Sequence, residues 1–165
     1  MAIKFNNTDN VLEQLAGPGA FLTAGKDGKA NVMTIGWGFV GVMWYRRVVI
    51  VPVRESRYTK QFIEENGEFC VSVPLNGALK KELAYCGSHS GRDGNKFEAA
   101  GLNTLPATKV TAPVIDGCSK YYECKLLSKL PLNKDMFPDE INEYAYKTND
   151  LHTLYLGEIV AEYDK

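Results

Sequence analysis

Val53-Arg-Glu-Ser-Arg-Tyr-Thr-Lys-Gln-Phe-Ile63 ends a β-like run and opens a helical one. Upstream, Arg47 to Val53 and Phe39 to Tyr45 are rich in β-branched and aromatic residues and read as strands. Ala30 to Ile35 and Ala20 to Ala24 are further strand candidates, joined by the turn Gly25-Lys-Asp-Gly28. Downstream, Ser56 is read as the cap of a helix that runs to about Asn66 and stops at Gly67. Glu68 to Val73 follows as a strand ended by Pro74, and Ala78 to Tyr85 as a helix with Leu79, Leu83 and Cys86 on one face. Gly87 to Asn95 is a turn-rich loop, and Lys96 to Ala100 a short helical piece stopped by Gly101. Tyr121 to Leu130 and Leu151 to Tyr163 are extended, with the irregular segment Pro131 to Asn149 between them. Many strands, few helices and no regular βαβ rhythm argue against a parallel doubly wound sheet. The pattern predicts a mainly β protein, an antiparallel β-barrel with peripheral helices.

The 165 residues are expected to form a single domain, 1–165, long enough to bury a real core. Lys and Arg number 19 against 20 acidic residues, so no electrostatic footprint for nucleic acid or an anionic membrane is present. Any anion must be gripped locally. No apolar run approaches membrane-spanning length, and Met1 to Asn7 lacks the pattern of a signal peptide. Cys70, Cys86, Cys118 and Cys124 form no CxxC pair, which fits a reducing compartment, so a cytoplasmic protein is expected.

Gly36-Trp-Gly-Phe-Val-Gly41 matches the spacing of a dinucleotide fingerprint, but a genuine one opens a helix, and strands surround this one. Glycines at bends of a twisted sheet explain it better. A stronger signal lies at Ser56-Arg-Tyr-Thr59. A helix start offers unpaired N–H groups and partial positive charge, and here it carries two hydroxyls with Arg54 and Arg57 in reach, which suits a phosphate dianion. An ordinary cap with surface arginines is the competing explanation, and Glu55 opposes an anion site unless it points away. Ser88 to Lys96 adds Ser90, Arg92 and Lys96 among Gly87, Gly91 and Gly94, so backbone N–H groups can line a tight anion-binding curve.

Asn31 to Trp37 alternates as a strand, with Asn31, Met33, Ile35 and Trp37 on one face and Val32 and Thr34 on the other. It can supply apolar walls and a polar edge for a planar heteroaromatic ring, or simply core. Cys86 and His89 have a ligand-like C-x-x-H spacing, but lone closely paired ligands rank a metal site low, and buried apolar cysteines are the default.

In order, Asn31-Val-Met-Thr-Ile-Gly-Trp-Gly38, Val53 to Ile63, Glu68-Phe-Cys-Val-Ser-Val-Pro74, Ser90-Gly-Arg-Asp-Gly-Asn-Lys96, Ala100-Gly-Leu102 and Leu156-Gly-Glu-Ile159 resemble the flavin reductase-like FMN-binding proteins, within them the flavoredoxin group. Departures are small: Glu55 and Val32 where Pro is common, Asn95 where Asp is usual. The resemblance implies an FMN-binding split β-barrel, a homodimer and noncovalent FMN near the dimer interface. It implies Met33, Thr34, Ile35 and Trp37 along the isoalloxazine, Arg54, Ser56, Arg57 and Thr59 on the phosphate, and Ser90, Arg92 and Lys96 closing over that end. His89 and His152 receive no role from it. The implied activity is an FMN-dependent oxidoreductase moving electrons between NAD(P)H or a redox partner protein and FMN, with no catalytic acid–base pair. The alternative is a noncatalytic FMN carrier.

Overall fold

The computed structural model describes residues 3–5, 7–26 and 28–165, so Asp27 in the expected turn at Gly25 to Gly28, and Met1, Ala2 and Asn6 in the segment Met1 to Asn7, lie outside the described residues. Among the described residues nine strands occur: β1 (Ala20–Lys26), β2 (Lys29–Ile35), β3 (Phe39–Met43), β4 (Arg46–Arg54), β5 (Glu68–Val73), β6 (Thr104–Leu105), β7 (Val114–Ile115), β8 (Lys120–Pro131) and β9 (His152–Asp164). Five helices accompany them: α1 (Thr8–Ala16), α2 (Thr59–Asn66), α3 (Lys80–Ser88), α4 (Lys96–Ala99) and α5 (Asp139–Ala145), with a 3₁₀ turn at Lys134–Met136. Seven strands form one sheet in the order β2-β1-β5-β8-β9-β4-β3, antiparallel at every pairing. The ladder is left open between the end strands β2 and β3. It is the mainly β, antiparallel architecture with peripheral helices that the sequence pattern predicts, left open as the split barrel that the resemblance implies.

Alternation along the strands divides the core in two. Leu22, Met33, Ile35, Val51, Val53, Phe69, Val71, Tyr122 and Tyr155 face inward and join Val11 and Leu15 of α1 and Phe62 and Ile63 of α2. Neighbouring positions Phe21, Val32, Cys70 and Tyr121 face outward into a second cluster with Leu83 and Cys86 of α3 and Leu102, Val114 and Ile115. Because both faces of β1 are covered, its residues from Ala20 to Gly25 are all buried and show no polar alternation. Register shifts between Glu123 and Cys124 and between Leu126 and Ser128 place bulges in the longest pair, β8 and β9, where extra twist helps the sheet curl. Phe62 and Ile63 contribute about 1.5–3 kcal/mol each by burial, which fixes α2 against the sheet and sets where its N-terminus points.

Three expectations need correction. Helix α2 begins at Thr59 rather than being capped by Ser56, since the Asp150 carboxylate accepts from both the Ser56 hydroxyl (2.5 Å) and its backbone N–H (3.1 Å), holding Arg54 to Ser56 in a turn. Its end at Gly67 stands, with φ 66° and the N–H donating to Ile63. Helix α3 is displaced toward the C-terminus of the expected range, because Leu79 adopts φ 54° and cannot belong to the helix. The stretch Pro131 to Asn149 is not irregular throughout: it carries the 3₁₀ turn and α5, whose amphipathic signal is weak because no helical residue of α5 is buried. Gly36 to Gly41 runs into strand β3, not a helix, in keeping with the rejection of a dinucleotide fingerprint.

Candidate functional site

Strand β2, the exit of β4, the start of α2 and the end of α3 converge. Pairing of Arg54 with His152 carries the first residue of β9 to the same place. Two adjoining cavities open there, and Met33 and Arg57 line both.

The first cavity, of about 200 Å³, has apolar walls from Met33, Ile35, Trp37 and Pro52 and a polar side from Arg54, Arg57 and His152. Trp37 lines the cavity and is 47% exposed, so its indole is not spent in the core. Thr34 is present too, but its hydroxyl already donates to Leu83 of α3 at 2.6 Å. The Arg54 guanidinium donates to the carbonyls of Ala145 (3.0 Å) and Asp150 (2.5 Å) and lies 5.6 Å from the Tyr146 ring centre. Arg54 therefore belongs to this cavity, not to the expected phosphate end. His152 is buried and stands 5.0 Å from Trp37 between ring centres. Burial, with the Arg54 charge adding, holds its imidazole down at about 4 against a weaker opposing pull from Asp150, so it is neutral at physiological pH.

The second cavity, of about 190 Å³, is lined by Asn31, Ser56, Thr59, Ser90 and Lys96 along with Met33 and Arg57. Arg57 donates to the carbonyls of Gly87 (2.8 Å) and Cys86 (3.3 Å), and Lys96 to those of Cys86 (2.8 Å) and His89 (3.0 Å). These are the orphan carbonyls at the end of α3, where the helix dipole favours cations. Among the described residues neither cation has a carboxylate within ion-pair distance, and Asp150 acts on Arg57 only through space. Burial first, then the Arg57 charge, brings the Lys96 ammonium down to about 8 despite the opposing influence of Cys86, and burial also lowers Arg57. A buried ammonium beside a half-buried guanidinium, neither with a carboxylate partner among the described residues, forms a site built for an external anion. The fully buried Thr59 hydroxyl accepts from the Asn31 amide at 2.9 Å, which leaves its proton for such a ligand. Glu55 turns away, accepting from Thr153 at 2.7 Å and pairing with Lys60 at 3.3 Å, so its charge does not oppose the site.

Of the expected anion contacts, Arg57, Thr59, Ser90 and Lys96 are brought together. Ser56 lines the cavity, but Asp150 already engages its hydroxyl and N–H. Arg92 lines neither cavity: it donates to the Ser56 carbonyl at 2.9 Å and sits 5.0 Å over Tyr58, clasping the loop from outside. Asn31 and His152 are not among the site residues expected from the sequence, and the signal for the histidine is its pairing with Arg54, far away in sequence. Cys86 and His89 part company, the thiol facing core and the imidazole stacking on Tyr85 with centres 3.9 Å apart. A larger cavity, of about 910 Å³, adjoins the second across Asn31, Tyr58, Gly91 and Lys96, but the further lysines that line it, Lys26 and Lys29, are exposed.

Known proteins are similar to this chain in sequence and in structure. An uncharacterized protein of Archaeoglobus fulgidus is 32% identical over 151 residues, covering 92% of this chain and 75% of the relative. One from Methanothermobacter thermautotrophicus is 30% identical over 138 residues, and the match spans 58% of that relative's length. The crystal structure of flavoredoxin from Methanosarcina acetivorans superposes with a TM-score of 0.68 at 30% identity, covering all of this chain and 76% of that one. The flavin reductase like domain matches residues 12–163, nearly the whole sheet and both cavities, and the chain belongs to that family.

Proposed function

We propose that the protein binds flavin mononucleotide noncovalently and acts as an FMN-dependent oxidoreductase. The observation that carries this is the junction at Met33 and Arg57, where an apolar, indole-faced cavity meets a pocket holding two uncompensated cations. A planar ring with a phosphate-bearing side chain is the ligand that fits both. Met33, Ile35 and Trp37 would pack on the ring, while Arg57, Lys96, Thr59 and Ser90 would hold the phosphate. Bound FMN would supply the redox chemistry, taking a hydride or electrons from NADH, NADPH or a redox partner protein. Arg54 and Arg57 line the ring cavity, so their charges would favour the negative charge that reduction places on the ring.

A homodimer belongs to the proposal. Phe39, Val42, Met43, Trp44 and Tyr45 on the edge hairpin of β3 and β4 are exposed, Tyr45 at 98%, an apolar patch that a second copy would cover. Sedimentation of wild type against Trp44→Asp tests it: a dimer that becomes monomeric is expected, and a monomeric wild type would refute it. All four cysteines are free and buried, which supports a reducing compartment such as the cytoplasm.

The purified protein should release a chromophore that behaves as FMN. Arg57→Ala combined with Thr59→Ala should weaken FMN binding at least tenfold in a folded protein, read by flavin fluorescence quenching. Unchanged affinity would remove the phosphate assignment. Oxidation of NADH or NADPH then separates the oxidoreductase from an FMN carrier, which would bind equally well and oxidise neither.

A further inference from the structure

The excursion between β8 and β9 delivers a second aromatic group to the ring cavity from behind. Tyr146 closes α5, is 4% exposed, and its hydroxyl lies 2.9 Å from Nδ1 of His152. The arrangement is held at several points. Arg54 takes the carbonyls of Ala145 and Asp150, Leu132 N–H donates to the His152 carbonyl at 3.0 Å, and Phe137 stacks on Tyr146 with centres 5.4 Å apart.

Among the described residues, Nδ1 of His152 is the only hydrogen-bond partner of the Tyr146 hydroxyl. Were Nδ1 protonated, the phenol oxygen would have to accept, and its own proton would be buried without an acceptor. Leaving a buried donor unmade disfavours that arrangement by about tenfold or more. The hydroxyl therefore donates to Nδ1, and the single proton of the neutral imidazole resides on Nε2. Nε2 has no protein partner among the described residues and is not one of the buried polar atoms lacking one, so it opens onto the cavity that His152 lines.

We propose that Tyr146 is a positioning residue that fixes His152 as a neutral Nε2–H donor directed into the ring cavity, toward an acceptor atom on the edge of the bound ring. The donor's target rests on the flavin assignment above; the tautomer is a property of the protein alone. The charged groups acting on the imidazole are Arg54 from β4 and Asp150 from the segment before β9. Burial and Arg54 keep the ring neutral, and a neutral ring is what allows one nitrogen to accept from Tyr146 while the other donates.

Nitrogen NMR of protein labelled in its two histidines, without added flavin, reads the tautomer directly. Wild type should show His152 with a bare Nδ1 and a protonated Nε2 that persist below pH 6. Tyr146→Phe keeps the ring packing and should populate the Nδ1–H form, leaving His89 unchanged. An Nδ1–H tautomer in wild type, or an unaltered spectrum in Tyr146→Phe, overturns the proposal; the wild-type measurement decides even if the variant does not fold. FMN titration gives the second arm. Tyr146→Phe should weaken FMN about three- to tenfold when His152 is present. It should have less than a twofold effect in a His152→Gln background, where the amide donates without help. Equal losses in both backgrounds overturn the positioning role. A wild type with the expected tautomer that binds no FMN would uphold the pair and remove the flavin assignment.

Discussion

Lys96→Met separates the grip on a phosphate from the fold that carries it. The side chain is 4% exposed and its ammonium sits on the carbonyls of Cys86 and His89, with burial bringing it down to about 8. At pH 7 the group is still mostly charged, so the substitution deletes a cation beside the anion pocket. A charge-assisted hydrogen bond contributes about 1.5–3 kcal/mol, which makes FMN bind about 10- to 150-fold more weakly. Riboflavin, with the same ring and no phosphate, should change less than twofold. Folding stability behaves differently. A lysine whose folded-state value lies below its ordinary 10.5 binds its proton less tightly than in the unfolded chain. Wild type without flavin should therefore gain stability as pH rises from about 8 toward 10.5, and Lys96→Met should lack that gain. Relief of the buried charge offsets the donor lost by His89, leaving neutral-pH stability within about 1 kcal/mol of wild type. For the same reason wild-type FMN affinity should fall as pH climbs through about 8, where the free protein loses the Lys96 proton. Fluorescence titrations of both flavins and urea unfolding across pH measure all of this. Equal weakening toward FMN and riboflavin, or an FMN affinity that ignores the substitution, would refute the electrostatic account.

Gly91→Ala should lower stability by about 2–4 kcal/mol and FMN affinity with it, because a Cβ there would collide with Asn31 Oδ1 and lie 2.8 Å from Tyr58, forcing apart the Asn31–Thr59 hydrogen bond; denaturant melts unchanged within about 0.5 kcal/mol, on the order of a surface substitution, would show the loop yields freely. Glu64 accepts from Lys60, Lys129 and Tyr155, and Lys60 first among them brings its carboxyl down to about 2. That stabilisation is complete above the ordinary value of 4.5 and is lost as pH falls toward 2, so Glu64→Gln should flatten the acid limb of the stability curve; an identical acid limb in both proteins would contradict it. With the side chain 30% exposed, solvent limits the difference to about 1 kcal/mol.

The sheet was legible because its strands announce themselves by β-branched and aromatic runs, and the reading erred where tertiary contacts overrule local signals. Ser56 and Thr59 have the spacing of a helix cap, yet a carboxylate 94 residues downstream captures Ser56 and delays the helix. Leu79 looks helical and is bent out by a left-handed backbone. Arg57, Thr59 and Lys96 could be found because charge and hydroxyls cluster along the chain. Arg92 shared those features and failed, since nothing local distinguishes an arginine that enters a pocket from one that clasps its loop. His152 and Asn31 are hidden for the opposite reason: each enters the site only through a distant partner, Arg54 across the β4–β9 ladder for His152 and Thr59 of helix α2 for Asn31.

Peptide oxygens, not side chains, tether both cations at the close of α3. Mutations of Cys86, Gly87 or His89 that preserve the local trace would therefore leave those tethers standing, and the thiol of Cys86 is free to answer only to the packing around it. Evolutionary drift at these three positions can alter the interior without discharging the anchor. What the anchor cannot survive is a change of path, such as a proline that tilts the final turn and swings its oxygens out of reach.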